Sequence, residues 1–160
     1  MKKSTLFYSS IILIIASFFS ACNKSTEEKI SQKWKFENIE IQPDPVEMLK
    51  SQGVPEEMVE AQRSKFEETI SEIVSKSYLT LNEDGTYERY MGNIGEENKP
   101  ESGSWSVSED GKTLLVKDDE QEGDHEEIII SELTDSKMIL KMQNELQDSG
   151  SVTMTLIPAN

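Results

Sequence analysis

Residues 103–116, with the sequence GSWSVSEDGKTLLV, constrain the fold more than any other segment because they have the pattern of a β-hairpin. Trp105 and Val107 alternate with serines, an Asp-Gly dipeptide follows, and Leu114 and Val116 resume the alternation. Apolar side chains at every second position indicate strands with one buried face. Asp-Gly accepts the positive φ that a tight hairpin turn needs. The segment therefore predicts two antiparallel strands joined by a short turn.

The same pattern recurs along the chain from residue 33 onwards. The predicted strands are 33–41, 78–82, 86–91, 102–108, 112–117, 125–133, 137–143 and 151–157. The apolar parity of the first strand switches between Phe36 and Ile39, which predicts a β-bulge. Eight short strands joined mostly by tight turns predict a mainly β fold, an antiparallel up-and-down barrel, because closure removes the exposed edges of an open sheet.

The segment between the first two strands, about 44–77, has a different pattern and predicts a helical insertion. Asp44 can cap a short helix that Gly53 ends, and a longer helix follows Pro55. On a helical wheel four apolar residues of the longer helix share one face: Val59, Phe66, Ile70 and Ile73. This apolar face has to be buried against another part of the fold. Since both ends of the insertion return to the same end of the meander, we expect the helix to lie across one open end of the barrel.

The N-terminal segment, 1–21, has the organisation of a secretory signal peptide. Two lysines precede an apolar run from 6 to 19, which is too short for a comfortable membrane span and ends in Ser-Ala before Cys22. The ending Phe-Ser-Ala-Cys resembles the lipobox of bacterial lipoproteins, which implies cleavage before Cys22 and acylation of that cysteine. An uncleaved membrane anchor is the alternative. Residues 22–29 are polar and are predicted to form a lipidated tether.

The charge balance excludes one class of partner. The formal net charge is −15, and no basic stripe is present, so a nucleic-acid phosphate backbone is not an expected partner. His125 is the single histidine and belongs to no recognisable catalytic motif, so no enzyme activity and no cofactor are expected. The acidic run 118–124 could attract a hard cation, but it lacks the order of a calcium loop, and a solvated loop without metal is favoured.

Several of these features together resemble the lipocalin-like domain of small lipoproteins of Gram-negative bacteria. They are Cys22, Trp34 in the first strand, the turn NEDGTY at 82–87, the unit GSW at 103–105 and ELTDSKMIL at 132–140. The resemblance covers most of 30–158 and implies an eight-stranded lipocalin-like barrel. Together with the lipobox, the resemblance implies a cell-envelope protein that is anchored in the outer membrane by acylated Cys22. It does not indicate on which face of that membrane the protein lies.

Two functions fit this organisation. The first is a binding module for a small apolar ligand, and the second is an envelope interaction or inhibitor module with a filled barrel and a protein partner. For the first function, the candidate ligand-binding residues are Trp34, Phe66, Ile70, Trp105, Met138 and Met142. Aromatic rings and methionines suit an adaptable apolar lining. The same residues would equally serve as ordinary core, and the alternation favours this for the two tryptophans.

Overall fold

Eight antiparallel strands close into a barrel in which each strand pairs with its neighbours in chain order and the last strand pairs with the first. The computed structural model describes residues 25–92, 99–120, 123–144 and 150–159, so the predicted signal peptide and Cys22 lie outside the described residues. The strands are β1 Lys33–Gln42, β2 Tyr78–Leu81, β3 Thr86–Tyr90, β4 Glu101–Val107, β5 Thr113–Asp118, β6 Glu126–Leu133, β7 Met138–Asn144 and β8 Gly150–Pro158. The predicted barrel is confirmed, and each strand bound agrees with its prediction to within one residue.

The odd-numbered strands all begin at one end of the barrel, here called the lower end, and finish at the upper end. Two hairpin turns at the lower end use a glycine with positive φ, Gly85 at 82° and Gly111 at 72°. Most other residues rarely adopt this conformation, which explains the two Asp-Gly dipeptides. The predicted bulge is also present, since the pairing of β1 with β8 shifts register between Phe36 and Asn38.

A short helix, α1 at Thr26–Ile30, closes the lower end. Ser25 and Glu28 form a capping box at its start. Ile30 is fully buried in the barrel core, and its carbonyl oxygen accepts a hydrogen bond of 2.9 Å from Trp34 Nε1. Residues 26–29, which the sequence assigns to a tether, are therefore helical, and the core residue Ile30 follows them as the last residue of α1.

The insertion forms two helices, α2 at Pro45–Ser51 and α3 at Glu56–Lys76, as the sequence predicts. Asp44 caps α2 by accepting hydrogen bonds from the backbone of its first turn. The two helices pack together, and β1 is the strand that α3 contacts most. On α3, Val59 and Ile73 are buried, while Phe66 and Ile70 remain half-buried.

The placement of α3 differs from the expected one across an open end of the barrel. β2 is short and pairs with β1 only at Lys33–Lys35, so the upper part of β1 has a free side. α3 packs on this strand, and only its last turn reaches the barrel interior, through Val74. Its end is held by Ser77, whose Oγ accepts a hydrogen bond of 2.9 Å from the backbone of Gly92. The helix thus widens the wall of the barrel.

The lower half of the interior is filled. Its fully buried side chains, from α1 and from the lower ends of four strands, are Ile30, Trp34, Leu81, Met138 and Leu156. Large apolar side chains in contact leave no space for a ligand. Any internal binding space must therefore lie in the upper half.

Candidate ligand-binding cavity

A cavity of about 240 Å³ occupies the upper half of the barrel. It exists because every strand of a barrel directs alternate side chains inwards. Nine of its lining residues are apolar: Phe36, Leu79, Met91, Leu114, Val116, Ile128, Leu140, Met142 and Met154. Four polar or charged residues complete the lining: Tyr87, Arg89, Glu101 and Glu126. The cavity thus combines an apolar wall with a small polar group.

Tyr87 is the most unusual residue in this lining. It is 2% exposed, and its hydroxyl has no hydrogen-bond partner among the described residues. Its ring lies beside Gly103, where a Cβ atom would come within 2.8 Å of the Tyr87 Cε1 atom. Burial raises the pKa of Tyr87 to about 12, so the hydroxyl stays protonated at neutral pH. A buried hydroxyl without a partner is costly, and here it borders an empty space that a ligand could enter.

Arg89 lies two residues further along β3 and carries an ion-pair cluster. Its Nε and Nη2 both lie 2.8 Å from Glu101 Oε2, and its Nη1 lies 3.2 Å from Glu126 Oε2. The Arg89 side chain is 22% exposed, against 45% for Glu101 and 36% for Glu126, so the cluster lies where the cavity meets solvent. Burial lowers the pKa of Arg89, but the carboxylates of Glu126 and Glu101 outweigh it and the net shift is upwards. Arg89 is therefore a fixed, doubly paired cation.

An adjoining cleft shares Tyr87, Arg89 and Glu126 with the cavity and adds Lys117, Asp118 and Asp124 to the lining. Among the described residues that line the two spaces, two side chains are basic and four are acidic, which is a formal net charge of −2. The polar end of the cavity is thus negative, although it contains an arginine.

Only one of the six candidate ligand-binding residues lines this cavity, namely Met142. Met138 is completely buried in the filled lower half. Trp34 and Trp105 are buried, and each indole N–H donates to a backbone carbonyl oxygen, of Ile30 at 2.9 Å and of Asn82 at 3.0 Å. The structure therefore places both tryptophans in the core below the cavity, where their polar atoms are already satisfied.

Phe66 and Ile70, the two candidates on α3, also lie away from the cavity. Both are half-buried on a helix that packs on β1 and α2, and neither belongs to the lining. Their position follows from the packing of α3 beside the barrel instead of across its mouth. They support the wall and have no direct route to a ligand in the cavity.

The candidate residues predicted from the sequence do not include Tyr87, Arg89, Glu101 or Glu126. A signal was nevertheless present, since Arg89 shares the inward parity of Tyr87 in the predicted strand 86–91. A charged residue at an inward position of a barrel strand needs a partner, and this requirement would have directed attention to the acidic residues of neighbouring strands.

The single histidine of the sequence lies outside the cavity. His125 is exposed and lines an outer groove with Glu127, Lys141 and neighbouring residues. Among the residues that the structure describes, no cluster of histidine, cysteine and carboxylate side chains could hold a metal ion. The helices of the described ranges are all too short or too polar to cross a bilayer.

Comparison with known proteins identifies a family and distant structural similarity. No curated protein matches the sequence significantly. The fold is similar to the crystal structure of a DUF4847 family protein from Bacteroides vulgatus ATCC 8482, with a TM-score of 0.48 and 11% sequence identity, over 82% of this chain and 94% of that chain. The family model described as "Lipocalin-like domain" matches residues 30–140. Since this match spans more than half of the sequence and the strands form the expected closed barrel, the chain belongs to the lipocalin-like domain family.

Proposed function

We propose that this protein binds a small, largely apolar ligand in the upper cavity of its barrel. The observation that carries the proposal is the division of the interior into a filled lower half and a cavity of about 240 Å³ above it. A filled barrel would have favoured an interaction module instead. An apolar wall with a few converging polar groups is the usual composition of a small-molecule site.

The size of the cavity limits what enters it. Ligand pockets commonly enclose about 300 to 1,000 Å³, so this cavity suits a ligand at the small end of that range, such as a short alkyl chain or a small aromatic molecule. Buried apolar surface contributes about 25 cal/mol per Å², which makes the hydrocarbon part of the ligand the main source of affinity. Polar atoms of the ligand would remain near Arg89 and its two carboxylate partners, where the cavity meets solvent.

We assign the protein to ligand binding without catalysis. The described residues that line the cavity include no serine, cysteine or histidine. The arginine is held by two carboxylates, and the raised pKa of the tyrosine keeps its hydroxyl protonated well into the alkaline range. None of these groups is arranged as a nucleophile with an adjacent base.

We further propose that acylated Cys22 anchors the protein in the cell envelope, in the outer membrane. Ser25, the first described residue, caps α1 at the closed lower end of the barrel. Cys22 is three residues before it, so an acyl group there can be at most about 11 Å of chain away from this end. The closed end would then face the membrane and the cavity would open away from it. Ligand would therefore enter from the aqueous side.

The binding proposal is tested by filling the cavity. Met142 lines it, whereas Met58 lies on α3 with 58% of its surface exposed. Met142→Trp should weaken the binding of neutral phenylnaphthylamine, followed by fluorescence in detergent-free buffer, by about tenfold or more, because the larger ring occupies the space of the probe. Met58→Trp introduces the same fluorophore outside the cavity and should leave binding unchanged. Urea midpoints of both variants check that each is folded.

Equal affinity of the two methionine variants would contradict binding in this cavity. Native mass spectrometry of the protein purified from its own host gives independent evidence, since a retained small molecule supports the ligand function. A uniformly unliganded protein that also fails to bind the probe would favour the interaction module.

The anchor is tested separately with Cys22→Ser. The variant should lose the mass of the acyl groups and remain unprocessed or be released from the membrane. If the Cys22→Ser variant fractionates with membranes and migrates on a gel as the wild-type protein does, the anchor is refuted and the binding proposal is unaffected.

A further inference from the structure

We propose that the cavity selects amphiphiles with a cationic, amine-type head group over those with a carboxylate head group. This inference rests on the proposed ligand function and adds the chemical class of the ligand. Three observations are combined: an unpartnered buried hydroxyl that can bind a polar head group of either kind, an arginine that is already paired with two carboxylates, and an excess of negative charge around the polar end of the cavity, which favours a cation over an anion.

The first observation is the hydroxyl of Tyr87. It is buried at 2% exposure, lines the cavity and has no partner within the described ranges. Core tyrosines normally satisfy their hydroxyl groups, so one that does not requires a specific reason. A polar ligand group inside the cavity would supply the missing hydrogen bond. The hydroxyl is therefore the point at which the head group of a bound molecule is expected.

The second observation is the state of Arg89. A free arginine in an apolar cavity would be a clear site for a carboxylate, because its planar guanidinium binds two oxygens at once. Here the guanidinium already contacts Glu101 through Nε and Nη2, and Glu126 through Nη1. Three of the five N–H donors of Arg89 face these two partners. A carboxylate ligand would therefore approach an arginine whose charge two neighbouring carboxylates already balance, and it would be repelled by both of them.

The third observation is the balance of charge. Each of the two glutamates contacts Arg89 through its Oε2 atom. In the part of the chain that the structure describes, neither Oε1 atom has a hydrogen bond or an ion pair. Tyr87 and the two glutamates are acceptor groups among the described lining residues of the cavity, and an ammonium has three N–H donors. The lining of the cavity and the adjoining cleft has a formal net charge of −2. A cationic head is attracted to this end and an anionic head is repelled.

The test compares three ligands with the same ten-carbon chain, namely decylamine, decanol and decanoate, at pH 7. Each displaces bound phenylnaphthylamine from the purified protein in detergent-free buffer, below the concentration at which the ligands form micelles. Decylamine should bind at least about tenfold tighter than decanoate, with decanol between them, since a single charge near another of opposite sign gains or loses at least this factor when water is partly excluded. Decanoate binding as tightly as decylamine would overturn the inference.

A matched pair of variants distinguishes the effect of the charge at the cavity from the effect of the overall negative charge of the protein. Glu126→Gln removes one charge at the cavity and leaves Arg89 paired with Glu101, while Glu67→Gln removes one charge from the exposed face of α3. Glu126→Gln should reduce the preference for decylamine about fivefold or more, and Glu67→Gln should leave it unchanged. An equal effect of both changes would show that the amine responds to overall charge only, and would refute the selection.

Tyr87→Phe tests the hydrogen bond to the head group. It should weaken the binding of decylamine and of decanol about fivefold relative to the unmodified protein. Unchanged affinity for both ligands would refute the role of the hydroxyl. The outcomes also separate this inference from the proposed function, because binding of all three ligands without preference retains the function and removes the selection. If neither the probe nor any ligand binds, the function itself is wrong.

Discussion

Replacing Tyr87 by phenylalanine is the most direct test of the unusual chemistry of the barrel interior. The change removes one oxygen atom and keeps the ring beside Gly103. Because the hydroxyl has no partner among the described residues, its burial costs about 1 to 3 kcal/mol of desolvation that no hydrogen bond returns. In the absence of ligand, Tyr87→Phe should therefore raise the free energy of unfolding by about this amount.

Tyr78 provides a matched control on the adjacent strand. Its hydroxyl donates a hydrogen bond of 2.7 Å to Glu88 Oε1. Tyr78→Phe removes the same atom but breaks an observed hydrogen bond, so it should lower the free energy of unfolding by about 0.5 to 1 kcal/mol. Urea unfolding of both variants at pH 7, followed by circular dichroism, compares the two. If Tyr87→Phe lowers stability by more than about 1 kcal/mol, the hydroxyl has a partner in solution and the reasoning is wrong.

The same residue predicts a dependence on alkaline pH. Burial raises the pKa of Tyr87 from 10.0 to about 12, so the folded state holds the proton more tightly than the unfolded chain does. The stability gained in this way is fully present below pH 10 and is lost as the pH rises towards 12. Tyr78, whose pKa is also raised to about 12, mainly by its hydrogen bond to Glu88, adds to this loss. Tyr87→Phe should consequently lose less stability than the unmodified protein over this interval.

Three further changes test the core, the hairpin and the insertion. Trp105→Ala should cost about 3 to 5 kcal/mol, since the ring is 8% exposed, and a loss under about 1 kcal/mol would support a ligand-stacking role for Trp105. Gly103→Ala should cost about 1 to 3 kcal/mol in urea unfolding because its Cβ would overlap the backbone carbonyl of Lys117, and full stability would show that the strands separate there easily. Val59→Ala should cost about 2 kcal/mol, while Phe66→Ala should leave probe binding unchanged, and altered probe affinity would place Phe66 at the cavity after all.

The strands could be predicted from the sequence because the two signals that define them are local. Alternation identifies one buried face within a few residues, and Asp-Gly identifies the turn. The bulge after Phe36 could also be predicted, since one extra residue in a strand reverses the apolar parity of all the residues that follow it. Closure into a barrel then followed from the number of strands and the need to remove free edges.

The position of α3 could not be predicted, because periodicity identifies the apolar face of a helix but not the surface that covers it. The sequence indicated a common stripe for Val59 and Phe66, yet one is fully buried and the other only partly. The deciding factor is the short β2, which leaves the upper part of β1 without a neighbour on one side. This length mismatch becomes visible only when the register of the two strands is known.

Five of the six candidate ligand-binding residues lie outside the cavity for a related reason. Trp34 and Trp105 are candidate ligand-binding residues in the sequence. In the structure each indole N–H donates a hydrogen bond to a backbone carbonyl oxygen in the filled half of the barrel. Whether an inward residue contacts a ligand or the core depends on its height along the barrel axis, which is set by strand tilt and stagger. Alternation reports the direction of a side chain but not this height.

The ion pairs of Arg89 also explain why the upper half of the barrel stays open. Arg89, Glu101 and Glu126 occupy inward positions on three different strands, where apolar residues would otherwise meet and complete the core. Their charges cannot be drawn further inside, because the loss of hydration would cost several kcal/mol per ion. They are held instead at the level where each side chain keeps part of its surface in water. The apolar side chains below them meet the filled half of the barrel on one side and this fixed ionic group on the other. The cavity is therefore a consequence of placing an ion-pair cluster on the inside of a small barrel, and the residues that keep it open are the same ones that give its polar end a net negative charge.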